Sequence, residues 1–342
     1  MSKITLKEIA AHFKVSVSTV SKAIHDSHEI SRSLKAKIQK FALENHYRPN
    51  KVALNLVNRN TKTIGVVIPN ILNYFFVQVL YGIEKIADAR GYNIITCITN
   101  ESLEKETGNL DFLSAGSVDG IIISSAAEES ELDVHAEHLK ELSENQIPLV
   151  MFDRVTDLVE CDKVIVDDFE AGYKATKFFV DTGCHTIAIV TPIDDSIISR
   201  LRVEGYKKAL EEYGIAFDEK LIVPTDSKED LELTMSFLLN YKKIEGIMAL
   251  DEITAVKVMN IVKSRGFRVP EDIAIIGFTN GELSRYVSPA LTMVSQHGTY
   301  IGEMASKVLI NRIENKTPER PYETKIVKTS LIVRDSTKKL QP

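Results

Sequence analysis

The spacing of hydrophobic positions changes character once along the chain. Up to about residue 60 they recur every three or four residues in short segments. Leu6, Ile9, Ala10 and Phe13 share one face of a first helix, Val20 and Ile24 one face of a second, and Leu34, Ile38, Phe41 and Ala42 one face of a third. Each start carries a capping signal. Thr5 and Glu8 have capping-box spacing, and Ser16 and Ser31 stand where an N-cap belongs. Two short helices with about three residues between them predict a helix-turn-helix. The second begins with Val17 and Ser18 and carries Lys22 a turn later, as suits a helix whose N-terminal turn enters a DNA major groove. A generic helical hairpin is the alternative. Pro49 then fits the first turn of a fourth helix, with Val52, Ala53, Leu56 and Val57 along it. That helix has no apolar partner nearby in sequence and is too short to stand alone in water. It needs a partner chain, a nucleic acid, or both.

From Ile64 the pattern becomes short apolar runs separated by helical stretches. Runs at 64–68, 92–98, 120–124 and 148–152 read as buried parallel strands, as do those at 164–166, 187–190, 221–223, 246–250 and 273–278. Helical stretches at 76–90, 171–180, 201–213, 231–239 and 254–264 intervene. Such alternation predicts doubly wound α/β sheets with right-handed crossovers. About ten strands are too many for one sheet of this length, so two similar halves are expected, breaking near 153–163. No Gly-x-Gly-x-x-Gly, Walker loop, His-Glu-x-x-His or Gly-x-Ser-x-Gly occurs.

Composition narrows the class. Hydrophobic residues make 44% and charged residues 26% of 342, values of a soluble globular protein. No apolar run approaches the roughly 20 residues of a membrane span, and Lys3, Lys7 and Glu8 interrupt any signal peptide. Cys97, Cys161 and Cys184 show no metal spacing, so reduced thiols in a cytoplasmic protein are expected. The net charge of −6 conceals a division: residues 1–62 hold twelve Lys or Arg against four acids, a net of +8 that leaves −14 on the remainder. A basic head on an acidic body concentrates phosphate attraction on the head.

The segments Thr5-Leu-Lys-Glu-Ile-Ala, Val15-Ser-Val-Ser-Thr-Val-Ser-Lys, Tyr47-Arg-Pro-Asn-Lys-Val-Ala and Thr63-Ile-Gly-Val-Val-Ile-Pro closely resemble the LacI/GalR (lac-repressor-type) family of bacterial transcription regulators. Weaker matches follow in order at Gly120, Pro148, Arg200, Val269 and Ser288. The resemblance implies an N-terminal all-α helix-turn-helix headpiece (1–48) and a hinge helix (49–61). An α/β periplasmic-binding-protein-like core of two doubly wound subdomains (62–342) would follow. It places the chain crossings near Cys161, Leu291 and Thr324, giving a first subdomain of about 62–161 plus 292–324 and a second of about 162–291 plus 325–340. Thr299–Asn315 would pack on the first, and Ile326–Val333 would return to the second. The implied protein is a homodimer or tetramer on a double-stranded, pseudo-palindromic operator, with a small effector in the cleft between subdomains. Repression is the expected outcome. No enzyme activity, cofactor, metal or membrane partner is expected. The alternatives are a core that answers to a partner protein, or an α/β enzyme with a fused DNA-binding head.

Candidate residues follow. On the head, Leu6, Ser16, Val17, Ser18, Thr19, Ser21, Lys22, His25 and Asn50 are the DNA-binding set. Val17 suits a thymine methyl, and Lys22 either guanine or a phosphate. Ser16 and Thr19 either bond phosphates or cap the helix. The resemblance makes Leu56 a minor-groove wedge, against packing across a dimer. Lys14 stands where the family often has glycine. For the effector, Phe75, Phe76, Asp153, Arg202, Asp251 and Asn280 fall at carboxyl ends of expected strands or at the starts of the following helices, where α/β sheets bind ligands. Phe75 and Phe76 can instead be core, Asp153-Arg154 an exposed turn, and Asp251 an N-cap. Arg202 matches the family's cleft arginine better than Arg200. Thr279-Asn280-Gly281 replaces the family's usual aspartate, so a carbohydrate or sugar-derived metabolite, with or without a carboxylate or phosphate, is expected. Of the acidic pairs, Asp168 is expected to cap a helix and Asp194-Asp195 to form a loop.

Overall fold

The computed structural model describes residues 4–47, 60–126, 132–192, 197–225, 231–315 and 321–340. Asn50, Leu56 and the rest of the expected hinge helix as far as Arg59, with Asp194 and Asp195, lie outside the described residues. The chain divides into two compact units between Thr61 and Lys62.

The head holds α1 (Leu6–Phe13), α2 (Val17–Ile24) and α3 (Arg32–Glu44). The capping box closes as its spacing predicts: the Glu8 N–H donates to Thr5 Oγ1 at 3.3 Å and the Thr5 N–H to Glu8 Oε2 at 2.7 Å. Ser16 and Ser31 cap α2 and α3. Ile9, Val20, Ala23 and Ile38 fill the centre of the three helices. Lys14 ends α1 with φ 55° and ψ 42°, a left-handed conformation costing a side-chain-bearing residue about 1–2 kcal/mol.

The core begins with β1 (Thr63–Ile68), α4 (Tyr74–Ala89), β2 (Asn93–Ile98), α5 (Leu103–Ser114), β3 (Gly120–Ile123), α6 (Leu132–Glu144), β4 (Leu149–Phe152) and β5 (Asp162–Val166). Then come α7 (Asp168–Asp181), β6 (Ile187–Pro192), α8 (Ile197–Glu212), β7 (Ile222–Thr225), α9 (Leu231–Tyr241), β8 (Gly246–Ala249), α10 (Glu252–Ser264) and β9 (Ala274–Phe278). The chain closes with α11 (Leu283–Tyr286), β10 (Thr292–Ser295), α12 (Gly298–Glu314), β11 (Thr324–Val327) and β12 (Ser330–Ile332). One sheet runs β2-β1-β3-β4-β5-β11 and the other β7-β6-β8-β9-β10-β12. All the pairings are parallel except β12 on β10.

The crossings fall one short strand later than expected. β5 belongs to the first sheet, β10 to the second and β11 to the first, so the chain changes subdomain after Val166, Ser295 and Val327. Ile326–Val333 does not return as one piece; β11 stays with the first sheet and β12 joins the second. Buried polar anchors show why. The Asp162 carboxylate in β5 accepts from Arg312 Nη2 on α12 and from the Glu323 N–H, each at 3.0 Å. In β10 the Thr292 N–H donates to Ser336 Oγ at 2.7 Å.

Each sheet is flanked by two helices in backbone contact. A Cβ on Gly82 of α4 would lie 2.0 Å from the Thr299 carbonyl oxygen, and one on Gly302 of α12 2.0 Å from that of Val79. In the other half, a Cβ on Gly172 of α7 would lie 2.1 Å from Arg202 O, and one on Gly205 of α8 2.1 Å from Phe169 O. Glycine is required where main chains approach this closely. Gly302→Ala is therefore expected to force α4 and α12 apart and to destabilise the core by about 1–3 kcal/mol. A thermal-unfolding midpoint within a degree of the parent would show that the helices give way freely.

Candidate functional site

On the head, the first turn of α2 presents a hydroxyl cluster. Ser16 Oγ accepts from the Thr19 N–H at 3.1 Å and lies 2.8 Å from both Ser18 Oγ and Thr19 Oγ1. Val17 is 42% exposed beside it. Lys22, one turn on, is exposed and ion-paired with Glu29, which holds the Glu29 carboxyl below the usual carboxylate range. Ser21 is half-buried, and its carbonyl oxygen lies 2.8 Å from His25 Nδ1. Leu6 packs against the helical core as a half-buried side chain. The face thus offers an apolar methyl-bearing side chain, hydroxyls and an ammonium within two turns, the mixture that reads and holds a DNA groove.

In the core, the carboxyl ends of both sheets border a cleft of about 480 Å³. From the first half come the loop and helix start after β1, Glu101 after β2, and Asp153 and Arg154 after β4. From the second come Ser199 and Arg202 of α8, Leu250–Ile253 after β8, and Thr279 after β9; Gln296 enters from the second crossing.

Arg202 is the structural centre of the second wall. It is 5% exposed and Asp168 4%. Its Nε donates to Asp168 Oδ1 at 2.8 Å and its Nη1 to the Leu250 carbonyl at 3.0 Å. Its guanidinium carbon lies 4.4 Å from the centre of the Phe278 ring. The helix cap expected at Asp168 is supplied by Asp167, which accepts from the Glu170 N–H at 3.0 Å; Asp168, one residue on, turns inward to the arginine. Arg202 therefore has its charge matched within the protein. It keeps N–H groups for a ligand hydroxyl but not an uncompensated positive charge for a carboxylate or phosphate.

Asp153 ends β4 with φ 59°. Its N–H donates to the Val164 carbonyl at 3.1 Å. Its carboxyl is not hydrogen-bonded within the described protein. Burial, with the Asp168 carboxylate nearby, pushes it up to about 7 against the pull of Arg154 and Arg202. Arg154 donates from Nη2 to Glu101 Oε1 at 3.3 Å. Phe75 and Phe76 are buried core residues that also border the cleft. Asp251 likewise caps α10, accepting from the Thr254 N–H at 2.8 Å, and borders the cleft.

Asn280 is expected in the cleft. It does not border the cleft, because its Oδ1 accepts from Arg334 Nη2 at 2.6 Å. Thr279 and Gln296 occupy that part of the wall, with Thr279 Oγ1 donating to Gln296 Oε1 at 3.3 Å. Gln296, Glu101, Ser199, Asn70 and Asn73 were not singled out in the sequence. Gln296 follows β10, so knowing which sheet that strand joins would have found it. Among the described residues, no group of three His, Cys, Asp or Glu side chains is arranged to hold a metal ion.

Residues 5–50 match the family model for bacterial regulatory proteins of the lacI family, and 176–337 the periplasmic binding protein-like domain. The ribose operon repressor of Haemophilus influenzae is 30% identical over 334 residues, spanning 97% of this chain and 98% of the relative. The chain belongs to the LacI family. The transcriptional regulator DegA of Bacillus subtilis is 32% identical over 99% of both chains. A solved LacI-family regulator from Enterococcus faecium with bound ribose has a TM-score of 0.68 and 29% identity, over 80% of this chain and 98% of that one. The lac repressor dimer bound to operator and the anti-inducer ONPF has a TM-score of 0.84 over 98% of this chain and 99% of that one; at 20% identity this shows a shared fold. Membership makes the chain a DNA-binding transcription regulator. Among the described residues, no helix is long and apolar enough to cross a membrane.

Two outcomes follow for this LacI-family core. Arg202→Met leaves Asp168 buried without its partner and is expected to destabilise the core by about 3–5 kcal/mol. Adding Asp168→Leu should recover most of that loss, as read by chemical denaturation; equal midpoints for single and double variants would mean the two groups are uncoupled.

The second outcome concerns Asp153. Its folded pKa, at about 7, lies above its unfolded value of about 3.9. Between those values the folded state keeps a proton that the unfolded state has lost. The contribution of Asp153 to stability is therefore full below pH 4 and is lost as pH rises to 7. Asp153→Asn should unfold at a higher temperature than the parent at pH 7.5, with the difference vanishing by pH 4. A constant offset across that range would contradict the assignment.

Proposed function

We propose that this regulator represses transcription as a cytoplasmic homodimer. Its heads read the two halves of a pseudo-palindromic operator, and a sugar-type molecule in the core cleft changes its affinity for DNA. The carrying observation is the cleft itself: its walls come from both subdomains, between which the chain crosses three times. A ligand touching both walls biases the angle between them, the differential contact that allosteric coupling needs. In a homodimer, rotation of the subdomains alters the spacing of the two heads. Bound ribose in the Enterococcus faecium regulator supports a sugar-type ligand.

On the head, Val17 and Ser18 choose the bases. Lys22 donates to guanine or phosphate after leaving Glu29. Ser21 reads bases beside them, while Ser16 and Thr19 hold phosphates, with Leu6 and His25 at the margins of the contact. Asn50 and Leu56 act from the hinge, Leu56 as the minor-groove wedge. In the core, Arg202 and Asp153 face the ligand hydroxyls with Asp251, Gln296 and the edges of Phe75 and Phe76. The protein works by binding and has no catalytic step.

Operator binding is expected to need both half-sites and to weaken steeply with salt, since several phosphates are neutralised per head. Exchanging Val17 and Ser18 for other small side chains should change the preferred sequence. Ser16→Ala should weaken binding to all sequences alike. Gel-shift titrations on whole and half operators, selected from random DNA, test this; equal affinity for half-sites would remove the dimer from the reading.

A further inference from the structure

We infer that the effector is an amino sugar, a small polyhydroxylated molecule whose ammonium group sits against Asp153. This rests on the sugar-type reading above and narrows it.

The charges facing the cleft are unequal. Among the described residues, Glu101, Asp153, Asp251 and Glu252 line it, against Arg154 and Arg202. Arg154 is matched by Glu101, and Arg202 by Asp168 behind it. Three carboxylates are left, and two of these are occupied. Asp251 takes the Thr254 N–H and hydroxyl on its two oxygens. Glu252 accepts from the Ser284 N–H at 2.9 Å, with Arg334 acting on its charge. Among the described residues, Asp153 is the one of these whose carboxyl takes no hydrogen bond, with Arg154 and Arg202 acting on its charge. It is held by a left-handed backbone at the end of β4, facing Asp168 of α7, Arg202 of α8, Arg154 and Glu101.

Closing the cleft over a ligand removes water from that carboxylate. A hydroxyl supplies a hydrogen bond but leaves the carboxylate only the pull of Arg154 and Arg202, which Glu101 and Asp168 already share, whereas an ammonium supplies a bond and a charge. A phosphate or carboxylate ligand would add repulsion and meet only guanidiniums whose charge is already matched. The remaining N–H groups of Arg202, with Asn70, Asn73 and Gln296 nearby, suit the hydroxyls of the same molecule. An ammonium also requires Asp153 to be ionised, so binding expels a proton wherever the free protein holds one there. Affinity should then fall about tenfold per pH unit below neutrality.

The test uses the full chain, isothermal titration and matched probes: glucosamine, galactosamine and mannosamine, their parent hexoses, their N-acetyl derivatives and the hexose 6-phosphates. At least one amine is expected to bind tenfold or more tightly than both its parent hexose and its N-acetyl form, and to weaken about tenfold from pH 6.5 to 5.5. Asp153→Asn should erase both the preference and the pH dependence; its thermal midpoint reports that it remains folded. A parent hexose or phosphate that binds as well as the matching amine overturns the amine inference and leaves the sugar reading standing. No binding anywhere in the panel overturns the amine inference.

Discussion

Where α7 crosses α8, main chain touches main chain, and the second wall of the cleft depends on that contact. Gly172 and Gly205 leave no Cβ between the helices. The start of α7 is thereby brought against the second turn of α8, and Asp168 reaches Arg202. The arginine, held on one side by that carboxylate, spans to the Leu250 carbonyl and lies over Phe278. One close crossing thus joins α7, α8 and the ends of β8 and β9. Bulkier residues at the crossing would move the site's charged pair along with the helices. The first wall has the same construction: Gly298 and Gly302 bring α12 onto α4, which sets Gln296 beside the start of the helix carrying Phe75 and Phe76.

The two walls belong to different sheets, so what joins the sheets governs how the cleft responds. Those joints are the short crossings, and they are tied to one another: the Asp167 N–H at the first crossing donates to the Val327 carbonyl at the third, at 3.4 Å. Between the two halves, Gln78 Nε2 donates to the Asn280 carbonyl at 3.3 Å. Few backbone torsions separate the halves, and a ligand gripping both sides acts on those torsions directly. Regulation in such a fold needs no new contact to form far from the cleft; it needs only the angle between two packed bodies to change.

Charge is allocated on two scales. Over the chain, the head is basic and the core acidic, so DNA is drawn to the head and repelled from the core. Within the cleft, both guanidiniums are matched by carboxylates, and the excess falls on acids. The first division is visible in composition. The second depends on which arginine meets which acid.

The head was legible residue by residue because its determinants are local. A capping box acts over three positions, Ser16 reaches Thr19, and the spacing of Ile9, Val20 and Ile38 needs only the helical period. The strands of the core were legible for the same reason, as short apolar runs between helices. Sheet membership was not, because β5, β10 and β11 are brief and their alternation reads alike in either sheet; the Asp162–Arg312 anchor that decides β5 joins residues 150 apart. Asn280 sat at the right strand end, yet Arg334, 54 residues later, takes its amide out of the cleft. Arg202 lines the cleft, but its matching by Asp168, and the carboxyl of Asp153 with no hydrogen bond among the described residues, are properties of neighbours in space. The sequence by itself determined the helices, their caps, the apolar strands and the family, since these follow from contacts a few residues apart. Tertiary structure decided where the chain crosses and which charges cancel, since only packing brings distant side chains within hydrogen-bond reach.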